Sequence, residues 1–153
     1  MELRKLTKAD YPAANRLFKL LDDIHVQARP DYVLPREDVF PQEHYDKWMD
    51  DPDGFFLGAF DGETLAGLVR ATLWHESGMV QGVNTVCLDD IYVLEPYRRH
   101  GVARKLFEAV EAWARENNAV RLELHVWDFN RGAIAMYREM GMSPQRYVFE
   151  KKL

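Results

Sequence analysis

Arg98, Arg99 and His100 run directly into Gly101, Val102 and Ala103, a basic turn followed by residues with little or no side chain. That combination suits a pyrophosphate. The small residues Gly101 and Ala103 let a ligand approach the backbone, and the first amides of a helix starting there lack intrahelical partners and carry partial positive charge. Val102 and Arg104 belong to the same run and add an amide and a charge. The stretch is not a P-loop, because no Gly-Lys-Ser/Thr follows. It is not a dinucleotide fingerprint either, which needs three glycines at other spacings. A solvated basic loop ahead of a helix has the same composition, so these residues alone leave both readings open.

The elements on either side must hold this loop in place. Leu88–Val93, LDDIYV, is short, apolar and rich in β-branched and aromatic residues, which predicts a buried strand. After the loop, Val102, Leu106, Val110, Trp113 and Ala114 recur at helical spacing among Arg104, Lys105, Glu108 and Glu111, which predicts an amphipathic helix. The unit is strand, loop, helix.

Arg98-x-x-Gly101-x-Ala103 behind that strand resembles the acetyl-coenzyme A motif of the GCN5-related N-acetyltransferases, Gln/Arg-x-x-Gly-x-Gly/Ala. Downstream, NRGAIAMYREMGM from Asn130 to Met142 resembles the family's second signature, Asn-x-x-Ala-x-x-x-Tyr with a Gly-Phe-like end. Ala103 stands where many members have Gly, and Met142 where Phe is common. The resemblance implies an α/β GNAT fold, a mixed central sheet flanked by helices on both faces, as one N-acetyltransferase domain over residues 1–153. It implies transfer of acetyl from acetyl-CoA, a co-substrate, to a primary amine of a small molecule by direct attack in a ternary complex. Protein lysine or N-terminal acetylation, and a non-catalytic coenzyme A-binding regulatory module, are the alternatives.

The resemblance also assigns roles. The pantetheine arm pairs with the central strand through the backbone around Ile91, Tyr92 and Val93, and an amide of the same strand serves as oxyanion donor. The pyrophosphate sits on Arg98, Arg99, His100, Gly101, Val102, Ala103 and Arg104. Tyr137 is the general acid for the coenzyme A sulfur, and Asn130 holds pantetheine or starts the helix. Tyr137 follows Asn130 by seven positions, two turns, so both leave nearly one helical face. Asp89 aligns with an acidic residue that draws the acceptor proton through water in some members, and burial would raise its pKa toward that task. His125 is its rival, because an imidazole titrates near neutrality, and water alone is the third option. Period two puts Asp89 on the parity of Ile91 and Val93 and Asp90 on the other, supporting a neighbouring loop.

The 153 residues suffice for one domain with a sizeable core. A net charge of −5 argues against a nucleic-acid partner and mildly favours a cationic acceptor. The N-terminus lacks an apolar signal region and no apolar run approaches membrane length, so a cytoplasmic protein without a membrane partner is expected. The five histidines show no ligand spacing, which leaves no metal site expected. Cys87, the single cysteine, reads as a small buried hydrophobe.

In chain order, Glu2–Leu6 alternates as a strand. Thr7 to Asp10 approximates a capping box ahead of a helical stripe through Tyr11, Ala14, Leu17, Phe18 and Leu21. Four prolines, Pro30, Pro35, Pro41 and Pro52, break up Asp22–Asp53 and leave one short helix at Gln42–Met49. This is the expected acceptor wall, and Asp22, Asp23, Tyr32, Tyr45, Trp48, Trp74 and Glu76 are candidates for a cationic-amine pocket, most of them serving as core or surface. Phe55–Phe60, the turn Asp61-Gly62 and Leu65–Leu73 read as a hairpin, Trp74–Gln81 as a loop, and Gly82–Val93 as the central strand. Ala119–Val126 reads as a strand, Ala133–Met140 as a helix capped by Gly141, and Arg146–Lys152 as a final strand able to serve as an edge in a homodimer.

Overall fold

The computed structural model describes residues 1–75 and 83–153. In chain order the elements are β1 (Glu2–Lys5), α1 (Tyr11–Ala28), α2 (Gln42–Asp50), β2 (Gly54–Asp61), β3 (Thr64–His75), β4 (Asn84–Val93), α3 (Val102–Glu116), β5 (Arg121–Leu124) and α4 (Arg131–Glu139). The strands form one sheet in the order β1-β2-β3-β4-β5. The first three pairings are antiparallel and β4 with β5 is parallel, the mixed sheet expected.

Alternating side chains divide the core between the two faces. On one face Val69, Ala71, Val86 and Leu88 pack against Leu106, Phe107 and Val110 of α3 and Tyr137 of α4. On the other, Phe56, Phe60 and Leu68 meet Leu17 and Phe18 of α1 and Tyr45 of α2. Each fully buried aliphatic or aromatic side chain contributes roughly 1.5–3 kcal/mol, so both faces anchor the sheet.

Local chemistry fixes the ends of these elements. The Thr7 amide donates to Asp10 Oδ2 at 2.8 Å, and the Arg4 guanidinium donates to the same carboxylate at 2.7 and 2.9 Å. Together these hold the Asp10 carboxyl down at about 2, the hydrogen bonds to Arg4 acting most strongly. Pro12 occupies the first turn of α1, where a missing N–H costs nothing. Gly62 takes φ +58° in the turn between β2 and β3, as the Asp-Gly reading requires.

Several expectations change. Trp74 and His75 complete β3, while 76–82 lie outside the described residues, so most of the expected Trp74–Gln81 loop and the start of the Gly82–Val93 strand are not described. The strand expected over Ala119–Val126 shortens to β5, because its pairing with β4 ends at Leu88 and Leu124. Arg146–Lys152 forms no strand: it is an exposed segment without regular structure, held by side-chain ion pairs, Arg29 with Glu150 at 3.0 Å and Lys152 with Asp31 at 3.7 Å. Cys87 is buried in β4, and burial pushes its thiol up to about 12, far from a nucleophile's range.

Candidate active site

The site originates where β4 and β5 part. Thr85 to Leu88 of β4 pair with Arg121 to Leu124 of β5, and beyond Leu88 only β3 pairs with β4, as far as Val93. From Asp89 to Val93 the backbone edge facing β5 is therefore open to an extended ligand. A cleft of about 240 Å³ occupies the opening, lined by Leu88, Asp89, Asp90 and Ile91 on one side and Leu124, His125, Val126, Trp127, Asn130 and Tyr137 on the other. Leu21 and His25 of α1 also line it.

A β-bulge coincides with the parting. Arg70 pairs with Asp90 and Ala71 with Leu88, leaving Asp89 as the extra residue. This corrects the expected parity. Thr72 Oγ1 donates to Asp89 Oδ2 at 2.7 Å and Arg70 Nε donates to Asp90 Oδ2 at 2.7 Å; Arg70 and Thr72 share a face of β3, so both carboxylates project to that same face. Ile91 packs with Val93 against the opposite core cluster. Asp90 thus pairs with β3 instead of supporting a neighbouring loop. Arg70 also lies 3.7 Å from Asp89 and stacks over Trp48, 4.4 Å from the ring centroid. Burial raises the Asp89 pKa, and the nearby Arg70 charge opposes that rise.

At the far end of β4 the loop takes the form that anion binding needs. Arg99 and Gly101, on either side of His100, adopt left-handed φ of +67° and +76°, which bends the chain sharply into the start of α3. The first helical bond of α3 runs from the Lys105 amide to the Gly101 carbonyl at 3.0 Å, so the amides of Val102, Ala103 and Arg104 precede it and point out of the helix start. A Cβ built on Gly101 would meet no protein atom within 4 Å; the loop is open on that side. Arg98 is committed elsewhere: its Nε donates to the Val93 carbonyl at 2.9 Å and its guanidinium lies 5.3 Å from the Tyr92 ring centroid. It braces the loop against the strand. His100 bonds the Arg98 carbonyl through Nδ1 at 2.7 Å and is exposed, as is Arg99, while Arg104 pairs loosely with Glu139 at 3.9 Å.

Tyr137 and Asn130 meet in the cleft. Asn130 caps α4, its Oδ1 accepting from the Ala133 amide at 3.2 Å. Tyr137 is 8% exposed, and burial pushes its phenol up to about 12. A phenol of that pKa keeps its proton at neutral pH and remains available as a donor. His125 lines the cleft but is itself exposed.

The family model for the acetyltransferase (GNAT) family matches residues 15–142. The chain belongs to that family. It is 35% identical over 79 residues to a thialysine N-epsilon-acetyltransferase of Caenorhabditis elegans, covering 52% of this chain and 48% of that one. It is 32% identical over 100 residues to an aminoglycoside N(6')-acetyltransferase type 1 of Acinetobacter genomosp. 13, covering 63% and 67%. The chain thus spans about half the length of the first of these relatives. Among solved structures, a mutant of the BH1408 protein of Bacillus halodurans superposes with a TM-score of 0.95 at 27% identity, covering 100% of this chain and 99% of that one. The fold alone is shared with an aminoglycoside N-acetyltransferase, AAC(6')-Iy, solved in complex with CoA, at a TM-score of 0.74 and 19% identity over 99% of each chain.

Within this GNAT domain the acceptor side differs from the expected amine pocket. Tyr45 is fully buried core, its hydroxyl donating to the Thr7 carbonyl at 3.0 Å, and Trp48 stacks on Phe56. Asp22 is buried and paired with Arg36 at 2.5 Å, Asp23 pairs with Lys19, and Trp74 is exposed on β3. Glu76 lies outside the described residues. Of the six candidates among the described residues, Tyr32 adjoins the cleft wall, through Trp127 at 5.7 Å between ring centroids. His25, Leu21 and Trp127 line the cleft and had not been singled out. Their signal was modest: His25 follows Leu21 by one turn and puts a polar group into an otherwise apolar stripe. Trp127, Phe129 and His25 form a connected aromatic wall, with centroids 6.1 and 6.4 Å apart. Among the described residues no group of three His, Cys, Asp or Glu side chains is placed to hold a metal ion, and no helix is long and apolar enough to cross a membrane.

Proposed function

We propose that the protein transfers acetyl from acetyl-CoA to a primary amine of a small molecule by direct attack within one ternary complex. The open β4 edge between Asp89 and Val93, ending at the amide-rich turn before α3, carries this reading. An extended pantetheine arm fits along Ile91, Tyr92 and Val93, and a pyrophosphate fits the amides of Val102, Ala103 and Arg104 beside His100, with Arg99 and Arg104 supplying positive charge. Arg98 supports the turn from behind, and Gly101 leaves it uncovered.

Transfer asks for a proton acceptor near the amine and a proton donor near the departing sulfur. Asp89 is the base in this reading, acting directly or through water: it is cleft-lining, partly neutralised by Arg70, and holds its proton more tightly than an ordinary carboxylate, which moves it toward the range a base needs. His125 is in the same cleft and is the fallback, followed by water alone. Tyr137 supplies the proton to the thiolate, leaving free coenzyme A and an N-acetylated product. The amine's lone pair forms the new bond to the acetyl carbon as the carbon–sulfur bond breaks.

The small size of the cleft and its aromatic wall support a small molecule over a protein chain, and the paired acidic residues support a cationic amine. Relatives named for thialysine and aminoglycoside acetylation support an acceptor of that kind. The acidic net charge argues against a nucleic-acid partner and mildly favours a cationic acceptor. The test is free thiol release from acetyl-CoA across polyamines, lysine analogues, aminoglycosides and short peptides. Acceptor-dependent release with a small amine is expected; release with peptides alone would support a protein substrate, and coenzyme A binding with no release across the panel would favour a regulatory module.

A further inference from the structure

We propose that Arg70 and Asp90 are positioning residues for Asp89: Asp90 holds the Arg70 guanidinium back, and the Asp89 carboxylate is thereby left to the cleft. The inference deepens the acetyl-transfer reading and rests on Asp89 as its base.

The β-bulge creates the arrangement. In a regular strand two consecutive residues face opposite sides of the sheet. Here Asp89 is the extra residue, so both carboxylates meet the same face of β3 and compete for one cation. The competition is unequal. Arg70 Nε donates to Asp90 Oδ2 at 2.7 Å, whereas Arg70 Nη1 stops 3.7 Å from Asp89 Oδ2, beyond hydrogen-bond length. Asp89 Oδ2 accepts instead from the neutral Thr72 hydroxyl at 2.7 Å.

An aromatic bed fixes the guanidinium in that place. Its centre lies 4.4 Å from the Trp48 ring centroid and 5.9 Å from that of Phe40. Trp48 is packed in turn against Phe40 and Phe56, 4.6 and 5.9 Å away between centroids. A swing toward Asp89 would give up both the ring face and the short bond to Asp90. The side chains of Arg70, Asp89 and Asp90 are 18%, 17% and 17% exposed, so salt and water screen these charges weakly. Both carboxylates nevertheless line the cleft.

Asp89 therefore feels two opposed charges from one side. Arg70 counters the rise in pKa that burial imposes, and Asp90 adds to that rise. The other titratable groups that face Asp89 are Cys87 on β4, His25 on α1, His125 beyond β5 and Tyr137 on α4. A carboxylate in direct contact with the arginine would be a weak base, and one with no cation nearby would hold its proton too firmly. Sharing Arg70 with Asp90 sets Asp89 between these limits.

Two readouts on the full-length protein test this: the acidic limb of kcat/KM for the amine that supports thiol release, and carbon-13 titration of the Asp89 carboxyl, assigned by its loss in Asp89→Asn. Asp90→Asn keeps the shape and an acceptor for Nε but withdraws the competing charge, so both midpoints should fall by about one pH unit. Arg70→Met keeps an aliphatic stem on Trp48 and removes the cation, so both should rise by about as much. Coenzyme A affinity should be unchanged in both variants. Residues that merely supported the fold would lower activity and leave the midpoints in place; that result, or shifts of one sign in both variants, would overturn the proposal. An acidic limb that persists in Asp89→Asn would remove Asp89 as the base. The carboxyl titration, which needs no acceptor, then decides alone: opposed shifts uphold the control of Asp89 by Arg70 and Asp90, and unmoved midpoints overturn it.

Discussion

The two halves of β4 share one strand and differ in nearly everything else. Thr85 to Leu88 is fully buried and paired on both sides, with β3 and with β5. Asp89 to Tyr92 is half-buried, bulged and paired on one side only. The first half closes the core and the second half opens a ligand edge, and the transition takes a single residue. Binding sites arise economically this way: a rigid, fully paired stretch fixes the position of an adjacent stretch whose hydrogen-bonding groups stay available.

Substitutions on either side of Leu88 should therefore fail differently. Val86→Ala in the closed half should cost about 2 kcal/mol of stability, read as a lower denaturant midpoint, with little change in the donor KM of the protein that remains folded. Tyr137→Phe should leave stability and coenzyme A affinity nearly intact while lowering kcat roughly 10²-fold; an unchanged kcat on a true substrate would remove the general-acid role. Asp89→Asn should lower kcat/KM at least about tenfold and abolish its acidic limb. The sign for stability is opposite. A carboxyl whose native pKa is raised loses stability as pH climbs from the ordinary carboxylate range through the raised value, so the Asn variant should match or exceed the parent's melting temperature at neutral pH.

Gly101→Val should raise the acetyl-CoA KM about tenfold. The left-handed backbone adds roughly 1–2 kcal/mol of strain, but no protein atom is near enough to clash, so lost donor affinity reports the ligand approach. The smallest effect lies far from the cleft. Arg4→Ala should cost about 1 kcal/mol, discounted because the arginine is 40% exposed. The depressed Asp10 carboxyl contributes stability above its ordinary pKa near 3.8 and loses it as pH falls through about 2, so parent and variant should converge in acid unfolding curves.

Much of this was legible in the sequence. The strand–loop–helix unit, the Asp61-Gly62 turn and the spacing of Asn130 and Tyr137 follow from local periodicity and turn chemistry, and they are where expected. The bulge was not legible, because an extra residue at Asp89 carries no glycine or proline to mark it, and one added residue reverses every parity that follows. The segment Arg146–Lys152 has the composition of a strand, yet composition does not supply an edge to pair with. The cleft wall from His25 and Trp127 joins residues distant in the chain, so only the packing of α1 across the sheet brings them together.

The most direct test of the split-strand account is amide hydrogen exchange with and without coenzyme A. Protection should appear from Asp89 through Arg104 and around Asn130, while Thr85 to Leu88 stays as slow as in the free protein. Ligand-induced protection confined to other parts of the sheet, or none at saturating coenzyme A, would contradict it.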